Sequence, residues 1–344
     1  MLEIGCQISL QQLNTLALPG RAEYFCRVAD GAELREALAF ARSHRLKVTV
    51  LGDGSNVVLD GDVPGLVVAM ANLGVELVDE TPESVTLRVA AGENWHQLVA
   101  STVAQRWYGL ENLALIPGCV GAAPIQNIGA YGVELADVLH GVEVMDIASG
   151  ESRTLGVGDC QLGYRDSAFK HKLKGRLVVV AVQITLSKVA KVNLGYPELA
   201  QALAAVAEPT PEDVFAAVCQ LRRAKLPDPA QIANVGSFFK NTILAADAGR
   251  ALVARFADIP RYPQADGSVK FPAAWLIDRA GWKGVRVGPV GVHQRQALVL
   301  VHFGGGSGGD VLALAADIAR DVAEKYGVAL ELEPVVIGDA AGRR

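Results

Sequence analysis

The chain has 344 residues, 51% of them hydrophobic and 20% charged, with a formal net charge of -5. That length and composition give two or three globular domains, exclude a disordered chain, and argue against nucleic acid as a partner, because phosphate binding favours clustered basic surface. No apolar run approaches the ~20 residues of a membrane span, and the opening MLEIGCQISLQQLN has Glu3 and no basic stretch, so neither membrane insertion nor a signal peptide is expected. Cys6, Cys26, Cys119, Cys160 and Cys219 are odd in number and scattered without a CxxC pair. They read as reduced thiols in a cytoplasmic protein and not as disulfides or a zinc site. The histidines show no ligand spacing, and no metal is expected.

Residues 32–45 predict a helix, with Leu34, Ala37, Leu38 and Ala41 at helical spacing and Asp30 placed to cap it. KVTVLG reads as a short strand that runs into the turn DGSNVV, and GLVVAM and VTLRVAAG read as further strands. A helix is expected over 95–106. Residues 109–132 are nearly uncharged, rich in Gly, Ala, Asn and Pro, and follow no period, which suggests backbone wrapped closely around a ligand. LVVVAVQITL is a strand, with a break near KVAKVNLGYPEL. Thr210, Pro211, Glu212 and Asp213 open a helix that ends at Arg222, Arg223 and Lys225. Residues 272–279 and 310–326 read as helices closed by Gly281 and Gly327. There is no internal repeat. The domain cut is expected between 188 and 210.

LGDGSNVVL puts a glycine-rich turn after a strand, where backbone N–H groups can face a phosphate, although it is neither a Walker A loop nor GxGxxG, and an ordinary tight turn reads as well. The 109–134 stretch adds Ile116-Pro117-Gly118 and Gly121-Ala122-Ala123-Pro124, with Gln126 and Asn127 able to bond the edge of a heterocycle. Two such loops suggest a dinucleotide held along its length.

LGDGSNVVL, AGENWHQLV, GLENLALIPGCVGAAPIQNIGAYGVEL, GYRDSAFK, KLPDP, GSFFKN, YPQADGSVK, WLID and QALVLV stand in the order seen in the UDP-N-acetylenolpyruvoylglucosamine reductases, which the chain resembles from about Asn14 to Gly338. The segment around GYPEL resembles the longer type of that family. The resemblance implies an α+β protein: an FAD-binding fold of the vanillyl-alcohol-oxidase/PCMH type over 1–200, in two α+β subdomains of about 1–72 and 73–200. A smaller α+β substrate-binding domain would follow over 210–327, and a C-terminal strand over 328–344 would carry a catalytic glutamate. It implies non-covalent FAD, NADPH as co-substrate, a UDP-linked enolpyruvyl sugar as substrate, and no nucleic-acid or membrane partner. A monomer in the cytoplasm is expected.

The resemblance also implies residue roles. Gly52, Gly54, Ser55, Asn56, Ile116, Pro117, Gly118, Gly121, Ala122, Ala123, Gln126, Asn127 and Gly129 would hold the flavin. Arg165 would stabilise an enolate, since a guanidinium offers a planar fork to a carboxylate. Ser237 would donate the proton, despite being a very weak acid, because an enolate carbon is strongly basic. Lys240 is the nearest cation in sequence to steady the alkoxide. Glu333 matches the catalytic glutamate. Alternation places Glu331 and Glu333 on one face, so the pattern alone does not choose between them, and Pro334 and Val335 depart from the family's local pattern. Tyr131, Tyr164, Tyr196, Lys225, Asn241 and Gln296 would bind substrate, with Phe238 and Phe239 as core or pocket wall. Another FAD enzyme of the same fold, an oxidase of alcohols or lactones, would explain the glycine loops but not GYRDSAFK, GSFFKN and the terminal glutamate together. A non-catalytic nucleotide-binding protein would have altered Ser237, Arg165 or Glu333.

Overall fold

The computed structural model describes residues 2–339. The chain divides into two compact units that are not continuous in sequence.

The first unit comprises Met1–Ile8, Ala22–Gly54 and Val63–Ala224. One of its sheets runs in the order Gly5–Ser9, Arg21–Val28, Val63–Met70, Val48–Leu51. Val63–Met70 is parallel to both Arg21–Val28 and Val48–Leu51, so the connection between those two needs a crossover, which helix Gly31–Ser43 provides. Asp30 caps that helix by accepting the N–H groups of Ala32 and Glu33. Its apolar stripe, Leu34, Ala37, Leu38 and Ala41, is buried with Val28, Leu66 and Val68.

The other sheet is antiparallel throughout, ordered Ser152–Gly156, Leu139–Asp146, Leu177–Ser187, Ser84–Ala90, Val75–Glu80. Leu177–Ser187 reads as a near-continuous apolar run because both its faces are packed: Val179, Val182 and Ile184 join one core cluster, and Val178 and Val180 the other. The outer strand Val75–Glu80 is exposed at every residue and so leaves no alternation to read. Helix Trp95–Ala104 and helix Pro211–Lys225 bury Trp95, Leu98, Val99, Val214, Ala217 and Val218 in the core of this sheet. Thr210 and Asp213 cap the second helix reciprocally.

The domain boundary therefore differs from the cut expected at 188–210. Helix Pro211–Lys225 packs into the first core, and the units change at Lys225. Where a break was read around GYPEL there is a short helix, Pro197–Ala202, whose Leu199 is fully buried in that core.

The second unit comprises Ser9–Arg21, Ser55–Asp62 and Lys225–Arg344. Its main sheet is ordered Ala233–Ser237, Val299–His302, Val290–Val292, Arg286–Val287. Helix Gly308–Tyr326 carries a capping box of Ser307 and Asp310 at its start and Gly327 at its end. A smaller sheet of Thr242–Leu244, Val269–Phe271 and Tyr262–Pro263 and helices Ala246–Arg255 and Ala273–Arg279 complete the unit. The C-terminal strand is Val335–Ile337, paired in parallel with Val57–Leu59. It is shorter than the 328–344 expected, and residues 340–344 lie outside the described residues. Among the described residues, no helix is long and apolar enough to cross a membrane.

Leu199 anchors the insertion to the first core, so Leu199→Ala should destabilise the chain by about 2–5 kcal/mol through the lost packing and the cavity left behind. Denaturant unfolding measures this; an unchanged midpoint would mean the insertion contributes nothing to the unit.

Candidate functional site

In the first unit the two glycine loops meet. The turn after Val48–Leu51 approaches the second loop so closely that a Cβ on Gly52 would collide with the Cys119 sulfur. The second loop lies against residues 91–95: Val120 donates to Glu93 O at 2.8 Å, Gly121 to Ala91 O at 2.8 Å, and Trp95 donates to Gly118 O at 3.0 Å. A Cβ on Gly121 would stand 2.5 Å from that of Ala91. Gly52, Gly54, Ile116, Pro117, Gly118, Gly121, Ala122, Ala123, Gln126 and Gly129 belong to one unit. Ser55 and Asn56 do not; they group with the second unit, where Asn56 Nδ2 donates to Glu333 O at 3.4 Å and Val335 N–H donates to Asn56 O at 3.0 Å.

Asn127 does not offer its side chain to a heterocycle. The residue is 1% exposed; its Nδ2 donates to Glu134 Oε2 at 2.7 Å and to Gly163 O at 3.1 Å, and its Oδ1 accepts from Ala136 N–H at 3.0 Å. These bonds fold the loop onto itself and bring Gly129 to Arg165, whose Nη2 donates to Gly129 O at 2.6 Å. The Arg165 guanidinium also lies 5.5 Å from the Tyr164 ring centre. Lys170 Nζ donates to Arg165 O at 3.0 Å and so steadies a backbone held at φ +52.

Tyr131 packs edge-on against Tyr196 with ring centres 5.1 Å apart. Asn112 Nδ2 donates both to Tyr131 O, at 2.9 Å, and to Asn193 O, at 3.0 Å, which ties the GYPEL segment to the loop. Burial pushes the Tyr131 phenol up to about 12, against the pull of Arg222. Burial lowers the Arg222 guanidinium from its ordinary value, Tyr131 opposing and Arg165 adding to the shift. The structure therefore groups Tyr131, Tyr196, Arg165 and Arg222. The sequence reading used Arg222 only as the end of a helix; its place seven residues after Phe215, on the same helix face, is the signal that would have found it.

In the second unit Gly236 has φ +72 with nothing within 4 Å of a Cβ, so the glycine serves the backbone turn and not a tight contact. Its N–H donates to Asn234 Oδ1 at 2.9 Å, and the strand is irregular between Asn234 and Ser237. That irregularity sets the register of Ser237, which pairs with Val299. Phe238 is pinned on both sides: its N–H donates to Leu298 O at 2.7 Å, and its carbonyl accepts Glu333 N–H at 3.0 Å. Phe238 and Phe239 are buried, at 0% and 1% exposure, with rings edge to face.

Residues 331–333 run antiparallel to 238–240, with Phe239 opposite Leu332. Lys240 N–H donates to Glu331 O at 2.9 Å, and the Lys240 ammonium is ion-paired with the Glu331 carboxylate. This separates the two acids that alternation left equal. Glu331 is an exposed surface partner of Lys240, while Glu333 is half-buried beside Phe238 and Asn56. Glu333 precedes the strand Val335–Ile337 and does not lie within it. Asn241 Oδ1 accepts Ala273 N–H at 3.1 Å at the start of helix Ala273–Arg279, and Gln296 Oε1 accepts Leu298 N–H at 3.3 Å. Lys225 is half-buried where the second unit begins. His293 is buried; its Nδ1 has no hydrogen-bond partner among the described residues, and burial, with Arg295, lowers its pKa. No group of three or more His, Cys, Asp or Glu among the described residues can hold a metal.

Residues 22–156 match the family model of an FAD binding domain, and residues 228–337 match that of the UDP-N-acetylenolpyruvoylglucosamine reductase C-terminal domain. Over 339 residues the chain is 48% identical to the UDP-N-acetylenolpyruvoylglucosamine reductase of Chromobacterium violaceum, covering 98% of this chain and 99% of that one. Among solved structures, the UDP-N-acetylenolpyruvylglucosamine reductase of Thermus caldophilus is similar with a TM-score of 0.67 and 26% identity, over 98% of this chain and 99% of that one. A solvent-stable cholesterol oxidase, 11% identical with a TM-score of 0.50 over 96% of this chain and 87% of that one, shares the fold alone. The architecture is the α+β FAD-binding fold of the vanillyl-alcohol-oxidase type joined to a smaller C-terminal α+β unit.

The Tyr131 phenol should stay protonated through pH 10.5 and ionise near 12. An ultraviolet difference titration of the native chain against Tyr131→Phe isolates it; a difference signal appearing near pH 10 would contradict the burial described.

Proposed function

The chain belongs to the family of UDP-N-acetylenolpyruvoylglucosamine reductases, and we propose that Ser237, Arg165 and Glu333 carry the reaction that this membership brings with it. The protein is an FAD-dependent oxidoreductase that reduces UDP-N-acetylglucosamine enolpyruvate to UDP-N-acetylmuramate for peptidoglycan synthesis. NADPH is the co-substrate, and the enzyme acts as a monomer in the cytoplasm.

The residues of the first unit fit the flavin. Glycine backbone at Gly52 and Gly121 leaves no room for a Cβ, and Arg222 Nε donates to Leu115 O at 3.3 Å directly before Ile116-Pro117-Gly118. A guanidinium at that place suits an anionic ligand. Bound flavin, once reduced, supplies a hydride to the outer carbon of the enolpyruvyl group.

The remaining work falls to this chain's side chains. The electron pair of the double bond moves to the neighbouring carbon and into its carboxylate as an enolate. Arg165 stabilises that charge through the planar fork of its guanidinium. The Ser237 hydroxyl gives its proton to the carbon, so one hydride and one proton add across the double bond and the two electrons are accounted for. Glu333 orients the substrate or shares in the proton delivery. Lys240 is ion-paired with the exposed Glu331. Lys225, Tyr196, Asn241 and Gln296 bind the UDP-linked part, with Tyr131 and Tyr164 beside them in role.

The observation that carries this reading is the double pinning of Phe238. It ties Glu333, through its N–H, to the residue that follows Ser237, which supports assigning the two side chains to one reaction.

Stopped-flow kinetics tests it half by half. Ser237→Ala should keep NADPH-dependent flavin reduction and lose reoxidation by the enolpyruvyl sugar about 10²–10⁴-fold. Glu333→Gln should follow it, and Glu331→Gln should behave as native. Equal loss of both halves in Ser237→Ala would assign the residue a structural role, and purified protein without flavin absorbance, even after refolding with FAD, would defeat the whole reading.

A further inference from the structure

Helix Trp95–Ala104 holds the segment from Leu113 to Gly118 at three points. The Trp95 indole donates to Leu113 O at 3.0 Å, Leu115 N–H donates to His96 Nδ1 at 3.1 Å, and Trp95 N–H donates to Gly118 O at 3.0 Å. The middle point is chemically different from the others. Leu115 has φ +57, a left-handed backbone that a leucine adopts only when its surroundings impose it. Its N–H is taken by His96 and its carbonyl by Arg222 Nε at 3.3 Å. His96 also stacks on Phe215, with ring centres 5.7 Å apart and planes 8° from parallel, and Phe215 and Arg222 lie on one helix.

We propose that His96 is a positioning residue for the flavin loop and for Arg222: its Nδ1, kept as an acceptor, locks Leu115 so that the Leu115 carbonyl fixes the Arg222 guanidinium. The inference rests on the flavin reading of the 116–129 loop given above. Accepting at Nδ1 puts the ring proton on Nε2, so only the neutral imidazole makes this contact. A second proton would convert Nδ1 from acceptor to donor, facing another donor, and would add a cation to a cationic surrounding.

The charged groups that face the ring are few. Arg222 and Arg223 come from helix Pro211–Lys225. The loop presents the apolar side chains of Ala114, Leu115, Ile116 and Pro117. Glu93, which precedes the helix, is turned to Gly74 N–H at 2.7 Å. Burial, then Arg223 and Arg222, hold the imidazole below its usual range. The sign follows. The unfolded ring takes up its proton near ~6.5 and the folded one at lower pH, so the contact is complete above that value and is lost as pH falls.

The test uses the flavin-loaded enzyme and reads free flavin by its fluorescence after dilution at pH 8, 7, 6 and 5.5. The native dissociation constant should rise about two- to threefold between pH 7 and pH 5.5. His96→Asn, whose Oδ1 takes the place of Nδ1 and does not titrate, should hold flavin within about threefold of native at pH 8 and show no acid limb. His96→Leu should bind about tenfold more weakly at every pH, with the native acid limb gone. A native acid limb that survives in His96→Asn overturns the proposal, as does a flat native profile. Should His96→Leu fail to fold, the comparison of native with His96→Asn still decides. Failure of native enzyme to retain FAD at pH 8 would instead defeat the flavin reading on which the proposal stands.

Discussion

Backbone held where side chains disfavour it governs the first unit's site. Leu115, Asn127, Tyr131 and Arg165 all have positive φ, at +57, +44, +48 and +52. Each such residue costs roughly 1–2 kcal/mol relative to ordinary backbone, apart from the local relief an asparagine finds. Each is therefore tied down: Leu115 through His96 and Arg222, Asn127 through Glu134, Gly163 and Ala136, Tyr131 through Asn112, and Arg165 through Gly129 and Lys170. The tethers run between the strained residues, so that Asn127 shapes the loop that delivers Gly129 to Arg165. Glycine gives the loops their close approaches, but hydrogen bonds give them their shape.

Much of the fold could be read beforehand, because its long elements obey a single period. Helix Gly31–Ser43 buries the four residues its spacing predicts, and Leu177–Ser187 is apolar because two core clusters pack on its opposite faces. What stayed hidden obeyed no period. Val75–Glu80 is exposed on both faces, and Pro197–Ala202 is a single short helix held by one buried leucine. The domain cut was misplaced because helix Pro211–Lys225 is amphipathic in sequence and nothing in that pattern says which core receives its apolar side. Ser55 and Asn56 went to the wrong unit for a related reason. A strand of three residues, Val57–Leu59, finds its partner nearly at the other end of the chain.

The candidate residues were legible as types and by resemblance, not as partners. Glu331 and Glu333 were equivalent until the register of 331–333 against 238–240 gave one of them to Lys240. His96 and Arg222 carried no motif weight of their own. Their importance lies in one carbonyl and one N–H of a leucine between them, and backbone groups are the one feature every sequence presents identically.

The parallel pairing of Val57–Leu59 with Val335–Ile337 also orders events in time. During synthesis, residues 57–59 emerge early and their partner strand only some 275 residues later, so that pairing waits while the first unit's sheets already have all their strands. Domains fold as units during translation, and contacts of large sequence separation close slowly. A ribosome-bound chain that has not yet exposed Val335–Ile337 would hold a finished cradle of glycine loops and no seated Glu333. The acid would reach its place only after residues 335–337 have emerged, which makes the pairing of that short strand and the assembly of the chemistry a single late event.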